Sequence, residues 1–61
     1  MDTPVKVTFF NVETLKRFTV TGWGDTDGPL VSTHLGSVNR RTLKFTPTFV
    51  ANQYMRVLDV H

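Results

Sequence analysis

A chain of 61 residues is long enough for one small domain, residues 1–61, which buries only about 60% of its unfolded surface on folding. It contains no cysteine, which excludes disulfide bonds and cysteine-based zinc sites as sources of stability. It also lacks any apolar run of the roughly 18–20 residues that a membrane helix needs. We therefore expect an intracellular, by default cytoplasmic, protein with no membrane partner.

The residue choice favours β-structure, and the positive charge is concentrated in one half of the chain. There are ten threonines, nine valines and seven aromatic residues but a single alanine, and β-branched and aromatic side chains suit pleated, half-buried surfaces. The net charge is +2. Residues 28–58 contain no acidic residue and carry a charge of +4, from Arg40, Arg41, Lys44 and Arg56. Such a distribution bears on binding partners and not on the fold.

The first third of the chain predicts a β-hairpin. Pro4–Phe10 alternates apolar and polar positions with the period of a strand. Asn11–Thr14 is a turn, because asparagine side chains bond to their own backbone in turns. Leu15–Trp23 resumes the alternation and lies close enough to pair with the first strand. A short helix over Val12–Phe18 is the competing interpretation of this stretch.

Two further strands are predicted in the middle of the chain. Pro29–Leu35 is the third strand, and Gly36–Arg41 is the next turn because it clusters glycine, serine and asparagine. Arg41–Thr46 is the fourth strand, with Leu43 and Phe45 on one face. The predicted core consists of Val5, Val7, Phe9, Phe18, Val20, Leu30, Leu43, Phe45, Val50 and Val57.

The C-terminal segment fits two structures. Thr46 followed by Pro47 is a good helix start, so we predict one helical turn over Pro47–Gln53 and then a closing strand over Tyr54–Val60. The alternative is a C-terminal helix, since Val50 and Tyr54 begin a helical apolar stripe. That helix would pack across a four-stranded antiparallel sheet and give an α+β fold.

The order of these elements predicts an all-β protein, a small antiparallel five-stranded barrel or rolled sheet with one short helical turn near Pro47. This order is similar in outline to SH3-like and Sm-like barrels, an architectural analogy that implies no function. No internal repeat is expected.

The glycine-rich stretch Gly22–Gly28 does not fit either of the two ligand-binding loops that it suggests. Its glycines are spaced G-x-G-x-x-x-G, one residue too long for a dinucleotide loop, and a strand rather than a helix follows. Asp25 and Asp27 could open a calcium loop, but position 12 of that loop is Gly36 and no glutamate follows Glu13. We expect a polar connection in which glycine supplies positive φ.

The sequence does not indicate an enzyme. A catalytic triad could be composed from His34, Ser32 and a nearby aspartate. Triads are defined by geometry, however, and the sequence does not show that these residues lie together. So short a chain also has little room for both a core and a water-excluding pocket. We therefore assign no catalytic residue, no cofactor and no metal ligand.

The first functional prediction is a binding or accessory protein that acts through protein–protein contacts, such as an inhibitor or regulator of the kind found in phages and mobile elements. Tryptophan, tyrosine and arginine are enriched at interface hot spots, so the predicted contact residues are Trp23, Tyr54 and Arg56. Exposed edge strands could also pair with a second copy, and we expect a two-fold homodimer because so small a core is marginal.

The alternative prediction is a small β-barrel that binds single-stranded nucleic acid. Such proteins combine a positive groove with aromatic stacking surfaces. The predicted contacts are the basic turn, Arg40, Arg41 and Lys44, together with Arg17 of the second strand.

Overall fold

The computed structural model describes residues 2–61, apart from the side chains of Asp2 and Ala51. All paired strands are antiparallel, in the spatial order β5-β4-β3-β2-β1-β6. The predicted all-β class is confirmed, with six strands in place of five. The elements of the described chain are β1 (Asp2–Asn11), β2 (Lys16–Asp25), β3 (Leu30–Thr33), β4 (Gly36–Asn39), β5 (Phe45–Pro47), a 3-10 turn (Val50–Tyr54) and β6 (Met55–Val60).

The β1–β2 hairpin is the longest pairing and follows the predicted alternation. Its register places Phe9 opposite Phe18 and Val7 opposite Val20, so the apolar residues of both strands share one face. The turn is fixed by Asn11, whose Oδ1 accepts hydrogen bonds from the backbone N–H groups of the second and third residues after it, at 2.8 and 3.3 Å. The competing short helix is therefore not formed in this region.

The position of Phe9 demonstrates that the sheet is curled. Phe9 on β1 and Phe45 on β5 are separated by three strands in the sheet order, which would place them about 19 Å apart in a flat sheet. Their ring centroids are only 5.1 Å apart, in an edge-to-face arrangement. The six strands therefore form a half-barrel with the core on its concave side.

The core is small and differs in part from the predicted set. Leu30 and Val50 were predicted to be buried but are 59% and 79% exposed, and Leu43 is 39% exposed. On β3 the inward-facing residue is Val31 instead of Leu30, so the face of that strand is the opposite of the one predicted. The fully enclosed part of the core comprises Val5, Val7, Phe9, Val31 and Val38, surrounded by half-buried Phe18, Val20, Leu35, Phe45, Met55, Val57 and Val60.

Gly22 and Gly24 belong to β2 and not to a loop. Neither has positive φ, so the prediction that glycine supplies positive φ in Gly22–Gly28 is wrong. Both are buried where β2 approaches β3, and a Cβ atom on Gly22 would lie 2.7 Å from a methyl carbon of Val31. These glycines therefore allow β2 and β3 to pack closely, and the connection itself is limited to residues 26–29.

The predicted boundaries are wrong around the fourth strand. Gly36–Asn39, expected to be a turn, is β4, which pairs with β3 and β5. Most of Arg41–Thr46, expected to be a strand, is the β4–β5 turn. Gly36 has φ of +148°, a conformation that glycine adopts more readily than other residues, at the point where β4 meets Pro47 of β5.

The C-terminal segment forms the predicted short helical turn and closing strand. The turn begins three residues later than expected, at Val50, and β6 then pairs with β1. The α+β alternative with a C-terminal helix is not adopted. Residues 2–61 include no helix that is long and apolar enough to cross a membrane.

Candidate functional site

The curled sheet leaves an open groove between its two edge strands, β5 and β6. The groove has a volume of about 460 Å³, and we call it the seam groove. It is bounded on one side by β5 with the residues flanking it, and on the other by β6 and the end of the 3-10 turn. Its lining residues are Leu43, Phe45, Pro47, Gln53, Met55, Arg56, Val57 and Leu58.

The hydrogen bonds of β6 and β5 to their neighbours determine which backbone groups face the seam groove. The N–H of Val12 donates to the carbonyl of Tyr54 at 3.0 Å. Because hydrogen-bonded residues alternate along an antiparallel strand, the backbone of Arg56 also bonds to β1. The backbone N–H and C=O of Val57 then point away from β1. On β5, the N–H of Asn39 donates to the carbonyl of Lys44 at 2.9 Å, so by the same alternation the backbone N–H and C=O of Phe45 point away from β4.

Both edges carry features that discourage pairing with a further strand. β5 has only three residues and ends in Pro47, which has no backbone N–H. The β1–β6 register shifts between Thr8 and Phe9, so β6 contains Leu58 as an additional, bulged residue. Short strands, proline and bulges are the usual protection of an exposed edge. The seam groove is therefore better suited to accepting side chains than to extending the sheet.

Exposed apolar side chains are concentrated beside the seam groove. Leu43 and Leu58 on its two rims are 39% and 46% exposed, and Tyr54, which ends the 3-10 turn, is 42% exposed. Phe49 and Val50, on the segment that connects β5 to β6, are 67% and 79% exposed. These five side chains lie on the rims of the seam groove or on the segment that joins its two strands, which makes this region the candidate interaction site.

The predicted protein-contact residues fall on two separate surfaces. Arg56 lines the seam groove, and Tyr54 directly precedes β6. Trp23, 50% exposed, lies on the convex outer face of the sheet opposite Pro4, with exposed Leu30 diagonal to it. Since Arg56 is aligned with Phe10 and Trp23 with Pro4, the two surfaces are about 20 Å apart along β1.

The three cations of the predicted basic turn differ in exposure and in contacts. The guanidinium of Arg40 is half-buried against Gly24 and donates a hydrogen bond of 3.0 Å to the carbonyl of Asp25, so it tethers the end of β2. Arg41 and Lys44 are exposed. Arg40 therefore has a structural role, and only two of the three cations are free to face a ligand.

Arg17, the fourth residue of the nucleic-acid prediction, lies at the other end of the sheet. The strand registers align Arg17 of β2 with Phe10 of β1, and Phe10 with Arg56 of β6. All three occupy the convex face, because the alternate residues of β1 and β2 are directed into the core. We call Arg17, Phe10 and Arg56 the outer row. Phe10 was not among the predicted contact residues; the signal that identifies it is its position between the strands of both arginines.

The acidic loop after β2 has a simple structural explanation. The N–H of Gly28 donates to the carbonyl of Asp25 at 3.2 Å, and the hydroxyl groups of Thr3 and Thr26 lie 3.1 Å apart. Within residues 2–61, no three histidine, aspartate or glutamate side chains are grouped as a metal site would require.

Comparison with known proteins found no family model, no curated relative and no solved structure that matches this chain.

Proposed function

We propose that this chain is a non-enzymatic binding or regulatory module that holds an extended, apolar segment of another protein in the seam groove. The observation that carries the proposal is the coincidence of an open groove with the exposed leucines on both of its rims. Burying apolar side chains at the centre of an interface supplies most of its affinity. In the unbound chain this surface is left in water.

The charge around the seam groove favours a partner segment that is also acidic. Arg56 lines the groove and Lys44 directly precedes β5, whereas residues 28–58 contain no acidic residue. Opposite charge across an interface accelerates association and selects the partner. The same argument disfavours a second copy of this chain, because two seam grooves facing each other would bring like charges together. The homodimer expected from the size of the core is accordingly not part of this proposal.

Photo-crosslinking tests the proposal and identifies the partner. A benzoylphenylalanine at Leu58 should capture one protein that the same group at Leu15, an exposed leucine in the β1–β2 turn, does not capture. The captured protein is then purified and titrated against the unlabelled chain. Equal capture at both positions, or a crosslinked homodimer as the main product, would contradict the proposal.

A matched pair of variants completes the test. Leu43→Ser with Leu58→Ser should weaken binding of the purified partner more than tenfold, since two apolar contacts at the interface are lost. Leu15→Ser with Leu30→Ser removes the same side chains from exposed positions outside the seam groove and should leave affinity within about twofold. If both double variants bind alike, the partner does not occupy the seam groove.

A further inference from the structure

We propose that the outer row is a binding site for single-stranded nucleic acid that adjoins the seam groove, with which it shares Arg56. The nucleic-acid prediction from the sequence groups Arg17 with the basic turn around Arg40, whereas the strand registers place Arg17 beside Phe10 and Arg56 at the opposite end of the sheet. Of the three side chains of the outer row, Arg17 and Arg56 are exposed and Phe10 is half-buried.

The outer row alternates a cation, an aromatic ring and a cation across three neighbouring strands. Adjacent strands are about 4.8 Å apart, so the Cα atoms of Arg17 and Arg56 are separated by about 10 Å with Phe10 between them. Tyr54, 42% exposed, ends the 3-10 turn two residues before Arg56, and its carbonyl accepts the N–H of Val12 beside β1. The site thus combines one half-buried ring between two guanidinium groups, Phe10, with the exposed ring of Tyr54 next to Arg56 along the chain.

The charges of the outer row are not neutralised by the protein. For residues 2–61, the structure records no ion pair of either Arg17 or Arg56. The nearest acidic residue on this face of β6, Asp59, is aligned with Thr8 and bonds to His61 at 3.2 Å. Arg17 and Arg56 lie on the two strands that flank β1, about 10 Å apart, so an anionic ligand placed between them would be attracted by both guanidinium groups.

The remainder of the convex face extends the site with hydrogen-bonding groups and one more cation. Thr8 and Thr19 face each other across β1 and β2 with their hydroxyl oxygens 3.2 Å apart. Next along the strands, the ammonium of Lys6 donates to the hydroxyl of Thr21 at 2.8 Å and is exposed. A strip of hydroxyl groups that ends in the ammonium of Lys6 therefore leads away from the outer row along the two longest strands, with Asp59 beside it on β6.

This combination fits single-stranded nucleic acid better than an acidic peptide. Aromatic faces bind bases by stacking, and arginine guanidinium groups bind the adjoining phosphates by paired hydrogen bonds. An acidic peptide would use the cations but gain little from the two rings. A duplex has no unstacked base to place on Phe10 or Tyr54.

The test measures the anisotropy of a labelled octathymidylate as the chain is added at several salt concentrations. Three phosphate contacts, from Arg17, Arg56 and Lys6, predict a slope of about −2 in log affinity against log salt. Arg17→Ala with Arg56→Ala should reduce the magnitude of that slope by about 1.4. Arg41→Ala with Lys44→Ala, which removes the same charge from the β4–β5 turn, should leave the slope unchanged.

Two further measurements separate stacking from charge. Tyr54→Leu should weaken binding roughly fivefold or more without changing the salt slope. Arg17→Lys with Arg56→Lys should keep the slope and lose part of the affinity, because lysine cannot form the planar, paired contacts. Circular dichroism confirms that each variant is folded before it is titrated.

Several results would overturn the proposal. Absence of binding at about 50 mM salt would do so, since the electrostatic contribution is strong there. If the Arg17/Arg56 and Arg41/Lys44 double variants lose equal affinity for the oligonucleotide, net charge alone attracts it. Binding of a polyglutamate peptide with equal affinity would assign the outer row to acidic proteins. Leu43→Ser with Leu58→Ser should retain oligonucleotide binding, which keeps this test independent of the seam groove.

Discussion

Two turns of this chain have nearly the same sequence and the same hydrogen bonds, but they serve different surfaces. The β1–β2 turn reads NVETLK (residues 11–16), and the β4–β5 turn reads NRRTLK (residues 39–44). In each, the asparagine Oδ1 accepts two backbone N–H groups, and the leucine N–H donates to the asparagine carbonyl, at 2.8 Å for Leu15 and 2.7 Å for Leu43. Both leucines have positive φ, 59° and 62°.

The shared residues therefore build the turn, and the residues that differ show what each turn does. Val12 and Glu13 in the first turn are replaced by Arg40 and Arg41 in the second. The turn conformation does not require arginine, since it forms equally with valine and glutamate. Arg40 instead donates a hydrogen bond to the carbonyl of Asp25 at the end of β2, whereas Arg41 is exposed. The antiparallel order places the two turns at opposite ends of the sheet, the first beside the outer row and the second beside Leu43 of the seam groove.

Removing both asparagine side chains should have the largest effect on stability. Asn11→Ala or Asn39→Ala leaves two backbone N–H groups without their protein acceptor, and each should cost about 1 kcal/mol, as the loss of a helix N-cap does. The turns lie far apart, so the double variant should lose about 2 kcal/mol. Urea unfolding measures this loss as a lower midpoint at constant slope.

The control for this prediction is aspartate, which keeps the accepting oxygen. Asn11→Asp and Asn39→Asp should both remain within about 0.5 kcal/mol of the parent chain, as surface substitutions that keep their contacts usually do. If alanine at one position costs nothing while alanine at the other is destabilising, the two turns are not equivalent in energy and their common sequence has a different cause.

Arg40 and Arg41 should contribute differently to the free energy of unfolding, although they are adjacent and of the same residue type. Arg40→Ala removes a charged hydrogen bond and a half-buried stem from the end of β2, and should cost about 1.5 kcal/mol. Arg41→Ala removes an exposed side chain and should change stability by less than about 0.5 kcal/mol. The same urea titrations test both, and equal losses would mean that the turn needs positive charge as such.

The repeated turn also explains which parts of the fold could be predicted from the sequence. In β1 and β2 the alternation of apolar and polar residues is continuous for most of ten residues, and the predicted faces are correct. β4 has a single large apolar residue, Val38, between glycine, serine and asparagine, which are the residues typical of turns. Composition therefore predicts a turn there, while pairing with β3 and β5 makes it a strand.

The comparison of NVETLK with NRRTLK would have corrected that boundary. The first copy was predicted to begin a turn at its asparagine, so the second implies a turn from Asn39 onward and ends β4 there.

The candidate sites could be predicted less well because they arise from register and curl. Nothing in the order of the chain places Arg17, Phe10 and Arg56 side by side. The seam groove exists because β5 and β6 approach as the sheet curls.

The smallest effect should come from the leucines at positive φ, and it separates the two turns most clearly. A left-handed conformation costs an ordinary L-residue roughly 1–2 kcal/mol, whereas asparagine tolerates it. Leu15 is 73% exposed, so Leu15→Asn relieves this strain and loses little packing. We expect it to stabilise the chain by about 0.5 kcal/mol. Leu43→Asn relieves the same strain but removes an apolar side chain from the rim of the seam groove, so its stability should not rise. Paired thermal melts of the two variants measure the difference, and partner binding should weaken only for Leu43→Asn. If Leu15→Asn is also destabilising, Leu15 packs on the hairpin in spite of its exposure, and the first turn then needs its leucine as the second one does.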